Sequence, residues 1–149
     1  MNNLLNLLSP ERVGFLSVAD KKSALNEMVN LLCGSDAVHD CEALRRAIFE
    51  REKILSTGIG LGVAVPHAKI SSVTDFVVAM GITRAPVDFG SLDDKPVRLL
   101  VAIAGPADRQ SDYLKILARV TLALKKQDLR DALLAAESPD EALKVLAGK

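Results

Sequence analysis

The sequence has few of the residues that mark several functional classes. It contains no Trp, one Tyr and four Phe, so aromatic residues make up 3% of its 149 positions. Proteins that hold single-stranded nucleic acid stack bases on exposed aromatic rings, and this chain has too few rings for such a surface. Its 19 acidic and 19 basic residues cancel. The balanced charge and the shortage of rings together argue against nucleic acid as a partner.

Cysteine and long hydrophobic runs are also scarce. Cys33 and Cys41 are the only cysteines, too few for a disulfide framework or a zinc site, so we interpret them as reduced thiols. The longest apolar stretches, residues 76–82 and 99–104, fall far short of the roughly 20 residues that cross a bilayer. The N-terminus lacks the basic start and the cleavage site of a secretion signal. These absences predict a cytoplasmic protein with no direct membrane insertion.

What the chain has is a globular composition with clear periodic segments. Apolar residues make up 49% of it, and its length predicts a single domain over residues 1–149. Helical spacing begins after Asp20 and again after Asp40, where the second helix should end near Lys53. It returns in three segments from Asp108 onward. Helices therefore form both halves of the predicted domain.

Two β-rich runs, residues 76–82 and 97–104, separate the helical segments. Both are nearly continuous apolar stretches, which indicates strands in a sheet that is covered on both faces. Residues 86–90 and 93–96 are rich in turn-forming residues, and we predict surface loops there. The order of elements predicts an α/β fold: a layered single domain with a central mixed β-sheet flanked by helices.

A glycine-rich segment, residues 56–62, follows the second predicted helix and reads Ser-Thr-Gly-Ile-Gly-Leu-Gly. Its alternate glycines predict a loop that uses positive φ angles. Val63 follows where a dinucleotide fingerprint needs its last glycine, and no Gly-Lys-Ser/Thr is present, so nucleotide binding is not predicted. The histidines and cysteines are too widely separated to indicate a metal site. The sequence contains no serine elbow that would indicate a catalytic triad. We predict no metal and no cofactor.

The two histidines stand in different surroundings. His39 lies between two predicted helices, and we assign it no function. His67 follows the glycine-rich segment and Pro66 at the predicted end of a short extended piece, residues 63–65, where open α/β sheets place ligand-binding groups. On position alone, a purely structural role for His67 stays open.

The residues around His67 suit one chemistry in particular. A neutral imidazole is a nucleophile near pH 7, and one ring nitrogen can attack phosphorus while the other donates its N–H. The phosphoryl group adds about −1.5 to −2 of charge. Glycine-loop amides, the hydroxyls of Ser56 and Thr57 and the guanidinium of Arg51 can accommodate that charge. This set indicates a phosphoryl group carried on histidine.

Residues 51–68, from Arg51 to Ala68 and ending in Val-Pro-His-Ala, resemble the signature of a known family. It is the fructose/mannitol-type IIA component (EIIA type 2) of the bacterial phosphoenolpyruvate-dependent phosphotransferase system. The resemblance continues through residues 8–13, 86–90 and 94–99, so it covers nearly the whole chain. It implies that His67 accepts a phosphoryl group from HPr, or from its nitrogen-branch counterpart, and passes it to a IIB domain.

The resemblance also implies roles for the neighbours of His67. Arg51 would stabilise the phosphoryl group or the transition state, although a cation is also favourable at a helix end in its own right. The predicted phosphoryl-binding set is Ser56, Thr57, Gly58 and Gly60. The two hydroxyls have an alternative role as turn or cap residues, and the glycines have backbone freedom as their alternative role. Ile59 and Leu61 we predict as an apolar docking rim, with inward packing as the alternative.

One position departs from the family pattern. Family members usually carry a second histidine in a His-Leu-x-x-Leu pattern, and here residues 113–117 read Tyr-Leu-Lys-Ile-Leu. Tyr113 therefore occupies the second-site position. A phenol donates a hydrogen bond but carries no positive charge at neutral pH, so the charge of a second imidazole is missing.

The freestanding IIA sequence and its opening, residues 8–13, are most like the nitrogen-regulatory branch. We therefore predict a phosphocarrier of that branch. Two alternatives stay open. One is a sugar-specific IIA protein that passes phosphate to a IIB domain. The other is a regulatory module whose phosphorylation changes its docking to target proteins.

Overall fold

The computed structural model describes residues 2–54, 56–91 and 93–148, with side chains described from residue 5 onward. The helices are α1 (Asn2–Leu7), α2 (Lys21–Leu32), α3 (Cys41–Ile54), α4 (Gln110–Leu124), α5 (Gln127–Ala135) and α6 (Pro139–Leu146), with a 3-10 turn at Pro10–Arg12. The strands are β1 (Val13–Leu16), β2 (Gly58–Gly60), β3 (Val63–Ala64), β4 (His67–Ile70), β5 (Val77–Val87) and β6 (Val97–Pro106).

The six strands form one mixed sheet in the order β1-β5-β6-β3-β2, and β4 also pairs with β6. Strands β5 and β6 are antiparallel, with Met80 opposite Val101. Strand β1 runs parallel to β5, and β3 and β4 both run parallel to β6. The prediction of a mixed central sheet is confirmed.

Helices cover both faces of this sheet. One face packs against α2 and α3, and its core, the α3-side core, includes Leu25, Met28, Leu44, Ile48, Ala79 and Leu100. The other packs against α4, α5 and α6, and its core, the α4-side core, includes Val63, Met80, Val101, Ile103, Val120 and Leu133. Because β5 and β6 are buried on both sides, their sequences are continuous apolar runs rather than alternating ones.

The predicted helix starts are confirmed by their caps. The side chain of Asp20 accepts a hydrogen bond from the Ser23 amide at 2.8 Å, and that of Asp40 accepts one from the Ala43 amide at 3.0 Å. Such caps satisfy amide groups that have no partner within the helix. In the described ranges, no helix is long and apolar enough to span a bilayer.

The prediction of reduced thiols is wrong, because Cys33 and Cys41 form a disulfide. Cys33 is the C-cap of α2 and Cys41 is the first residue of α3, and the turn between these helices brings the two Cα atoms to 5.6 Å. That separation lies within the usual range for a disulfide. A count of cysteines could not reveal this approach.

Three local predictions need correction. The glycine-rich segment is not all loop, because Gly58–Gly60 forms β2 and pairs with β3. His67 begins a strand, β4, three residues after β3 ends at Ala64, rather than lying at the end of the extended piece itself. Residues 86–90 are not a surface loop throughout, since Val87 still belongs to β5 and both Val87 and Phe89 are fully buried. Turn-forming residues at 86 and 90 hid these two core positions.

Candidate functional site

His67 lies at an interruption in the sheet. Strands β3 and β4 lie end to end along β6, with Val63 paired to Leu99 and His67 paired to Ile103. Pro66 occupies the break and has no N–H, although its carbonyl accepts a bond from the Ile103 amide at 2.9 Å. Paired residues point to the same face of a sheet. The imidazole of His67 therefore projects on the side of the α4-side core.

The ring of His67 is held in one tautomer. Its Nδ1 lies 2.7 Å from the carbonyl oxygen of Val65. A carbonyl only accepts, so Nδ1 carries the proton, and Nε2 of the neutral ring keeps its lone pair. Burial is the main cause that lowers the pKa of His67, and the charge of Arg51 lowers it further, against the opposing effects of Val65 and Glu52. The lowered pKa keeps the ring neutral at pH 7 and Nε2 available as a nucleophile.

Tyr113 packs beside His67. The two ring centroids lie 6.0 Å apart with their planes at 51°. Burial raises the pKa of Tyr113 well above its usual value, while the charge of Arg51 opposes the rise. The phenol therefore stays protonated and can donate a hydrogen bond. The charge of Arg51 therefore acts on the pKa of both rings.

Gly105 fixes the position of the phenol ring. A Cβ atom at this residue would lie 2.7 Å from the Phe76 ring and 3.2 Å from the Tyr113 ring. Gly105 is opposite Lys69 on β4, two residues beyond His67. Only glycine allows both rings to pack this closely against the sheet.

A buried carboxylate, Glu52, anchors the end of α3 next to Arg51. It accepts hydrogen bonds from the Thr57 amide at 2.9 Å and from the Thr57 hydroxyl at 2.7 Å, and Lys21 Nζ lies 2.9 Å from it. Glu52 thus ties α3 to both α2 and the glycine-rich segment. The sequence analysis missed this residue, and its place beside Arg51 in the family signature was the available signal.

Ser56 and Gly58 are also engaged within the protein. The Ser56 hydroxyl donates to the Phe89 carbonyl at 2.8 Å and accepts from the Gly58 amide at 3.1 Å. A side chain at position 58 would collide with Ser91. With Thr57 bonded to Glu52, these contacts match the alternative turn and cap roles. Phosphoryl binding by Ser56, Thr57, Gly58 and Gly60 stays a prediction.

The two proposed docking residues differ in exposure. Leu61 is 49% exposed, whereas Ile59 is half-buried and packs against the α4-side core. Leu61 has φ 62° between two glycines of positive φ, and its amide donates to Asp93 at 3.1 Å. This turn adjoins Val63, which lies four residues, or about 13 Å, from His67 along the edge of β6. Docking by this pair stays a prediction.

Two apolar side chains that the sequence analysis did not single out lie closer to the site along the chain. Ile54, three residues after Arg51, is 81% exposed, and Leu114, next to Tyr113, is 51% exposed.

His39 lies elsewhere, with Nε2 3.2 Å from the Thr74 hydroxyl. Within the described ranges, no three potential metal-ligand side chains come together.

A comparison with known families decides the classification. The family model for the phosphoenolpyruvate-dependent sugar phosphotransferase system, EIIA 2, matches residues 6–149. The chain belongs to this family. It is therefore a IIA-type component of the phosphotransferase system.

Curated relatives within the EIIA family carry two kinds of name. The fructose-specific EIIA component of Haloferax volcanii is 37% identical over 87% of this chain and 84% of the relative. A nitrogen regulatory protein of Bradyrhizobium diazoefficiens is 33% identical over 97% of this chain and 94% of the relative. The chain is also 36% identical to the fructose-specific EIIABC component of Bacillus subtilis, over 85% of its own length and a fifth of that longer protein.

Solved structures share the EIIA fold. The nitrogen regulatory protein IIA-Ntr of Neisseria meningitidis superposes with a TM-score of 0.89 at 28% identity, covering 97% of this chain and 99% of the other. Enzyme IIAMTL of Escherichia coli, solved in complex with phosphorylated enzyme IIBMTL, gives a TM-score of 0.80 at 25% identity over 95% and 98% of the two chains.

Proposed function

We propose that this EIIA protein is a phosphocarrier that holds the phosphoryl group on Nε2 of His67. The observation that carries the proposal is the hydrogen bond from Nδ1 to the Val65 carbonyl, because it leaves Nε2 unprotonated. The Nε2 lone pair attacks phosphorus, the bond from phosphorus to the donor breaks, and its electron pair stays with the donor. The proton stays bonded to Nδ1, which donates to the Val65 carbonyl oxygen throughout.

Arg51 and Tyr113 act on the charge that moves in this step. Arg51 supplies a fixed positive charge beside the phosphoryl oxygens. Tyr113 supplies a neutral donor where other family members have a second imidazole. Glu52 positions Thr57 and the last turn of α3, which carries Arg51 (the Arg51 turn), without touching the phosphoryl group. Ser56, Gly58 and Gly60 would bind phosphate after a local exchange of their present bonds.

We propose that the phosphoryl donor is an HPr-type protein and that the protein has a nitrogen-regulatory role. The nitrogen regulatory protein from Bradyrhizobium diazoefficiens aligns over nearly its full length, and the IIA-Ntr structure superposes over 99% of its own chain. The alternative is sugar-specific transfer to a IIB domain, which the 37% identity to a fructose-specific EIIA component supports. In either case the same histidine carries the phosphoryl group.

The test is phosphorylation of the full chain with phosphoenolpyruvate, Enzyme I and either HPr or its nitrogen-branch counterpart. We expect acid-labile phosphate on His67 and faster labelling with the nitrogen-branch donor. His67→Ala should take up no phosphate, while the matched control His39→Ala should label normally. Labelling of the His67 variant would contradict the acceptor assignment, and equal use of both donors would contradict the branch.

A further inference from the structure

The disulfide between Cys33 and Cys41 lies outside the phosphoryl site, and the proposed function does not use it. It joins the end of α2 to the first residue of α3, and both cysteines are half-buried rather than enclosed in the core. Small thiols can therefore reach it. No other cysteine occurs in the chain, so any exchange involves this pair alone.

We infer that Cys33 and Cys41 form a reversible thiol–disulfide exchange site whose oxidation state sets the rate of phosphoryl uptake by His67. The second half of this inference rests on the proposed function. Two features make Cys41 the better leaving group. It lies in the first turn of a 14-residue helix, where unpaired amides favour negative charge. Arg45 Nη2 also lies 3.9 Å from its sulfur.

The exchange uses two small thiols, such as glutathione, as the reductant. A thiolate attacks the Cys33 sulfur, the bond between the two protein sulfurs breaks, and Cys41 leaves as a thiolate. A second thiolate then attacks the small thiol's sulfur in the mixed disulfide on Cys33. This step releases Cys33 as a thiolate, which takes up a proton, and the two small thiols depart as their own disulfide. Two electrons pass to the protein, and oxidation reverses the sequence.

Helix α3 links this site to the phosphoryl site. Arg51 lies ten residues after Cys41, about 15 Å along the helix. The helix is attached to α2 by the disulfide at its first residue, by hydrogen bonds from Arg45 to Asn26 and Asn30 one turn later, and by the ion pair between Lys21 and Glu52, at 2.9 Å, near its other end. Opening the disulfide removes the first attachment. Helix α3 then becomes more mobile, and the position of the Arg51 side chain, whose charge acts on His67, becomes less well fixed.

A second connection runs through the loop that the disulfide closes. The His39 amide donates to the Ser72 carbonyl at 3.1 Å, and the Thr74 amide donates to the Ala37 carbonyl at 2.9 Å. Residues 72–74 follow β4, which begins at His67. They lead along the chain to Phe76, whose ring packs close to Gly105. Greater mobility of the loop therefore also affects Phe76 and Gly105, which pack next to Tyr113.

The test compares oxidised and reduced full-length protein. Native protein is incubated with glutathione, and the free thiols are trapped by alkylation and located by mass spectrometry. Phosphoryl uptake is then measured with potassium phosphoramidate, a small phosphoryl donor that needs no protein partner. We expect glutathione to free both thiols without denaturant. We also expect the reduced form to take up phosphate roughly two- to thirtyfold more slowly, the range of couplings carried through packed elements.

The variant Cys33→Ser/Cys41→Ser is the control. It should show the slow rate of the reduced protein both with and without glutathione. A disulfide that opens only in denaturant would overturn the exchange site, and equal rates for oxidised and reduced protein would overturn the coupling. If neither form takes up phosphate from any donor, the proposed function and the coupling both fall, while the alkylation pattern still decides the exchange site.

Discussion

Glu52 offers a direct test of how the end of α3 is held. We expect Glu52→Gln to lower the free energy of unfolding by about 2–3 kcal/mol, because the carboxylate is 5% exposed and accepts two bonds from Thr57 and an ion pair from Lys21. An amide keeps the shape but retains one acceptor oxygen. This loss of free energy is smaller than that expected for a fully buried ion pair, because Lys21 is 31% exposed and solvent screens its charge. For a chain of this length the melting temperature should fall by about 4–12 °C.

The matched control is Glu50→Gln on the same helix. Glu50 is 71% exposed, and its contact is an ion pair to Lys53 at 3.1 Å, so the change should stay within about 0.5 kcal/mol. Urea unfolding followed by circular dichroism gives both free energies, and phosphoryl uptake gives the rate. Glu52→Gln should also slow uptake, since the Arg51 turn loses its anchor. Equal stability for the two variants would refute the anchoring role of Glu52.

Three further predictions follow from the same geometry. Tyr113→His should add a pH-dependent phase to phosphoryl uptake below about pH 6.5, the ordinary pKa of an imidazole, because burial and the charge of Arg51 act at position 113 as well and disfavour the imidazolium. The wild type should lack that phase because burial raises the pKa of Tyr113, and identical pH–rate profiles would count against a contact between residue 113 and the phosphoryl group. Gly105→Ala should destabilise the protein by about 1–3 kcal/mol in urea unfolding, since its Cβ would crowd the Phe76 ring at 2.7 Å; no loss would show that these rings can shift freely. Reduction of the disulfide, which spans 8 positions, should cost about 2.5 kcal/mol. A calorimetric melting temperature that is unchanged by reduction would contradict that estimate.

Local signals in the sequence predicted the features that depend on a few neighbouring residues. Asp20 and Asp40 are helix caps whose effect reaches only three residues along the chain. The continuous apolar runs of β5 and β6 indicated a sheet covered on both sides, because burial on two faces removes alternation. The place of His67 beside Arg51 and Tyr113 followed from the family resemblance.

Features that depend on how one element folds back on the next could not be predicted in this way. The disulfide requires the turn after α2 to bring Cys41 back to Cys33. Strand β2 forms because β3 supplies its partner, which overrides the weak strand preference of glycine. The bonds from Thr57 to Glu52 need the end of α3 to meet the glycine-rich segment. Each joins residues fewer than ten positions apart, but it depends on the path of the turn between them, which residue periodicity does not reveal.

The most direct test of the central claim is the ring nitrogen that carries phosphate. Full-length protein with ¹⁵N-labelled histidine is phosphorylated, and ³¹P–¹⁵N coupling identifies the bonded nitrogen by NMR. We predict phosphorus on Nε2 of His67, since Nδ1 donates to the Val65 carbonyl at 2.7 Å. Phosphorus on Nδ1 of His67, or on His39, would contradict the account.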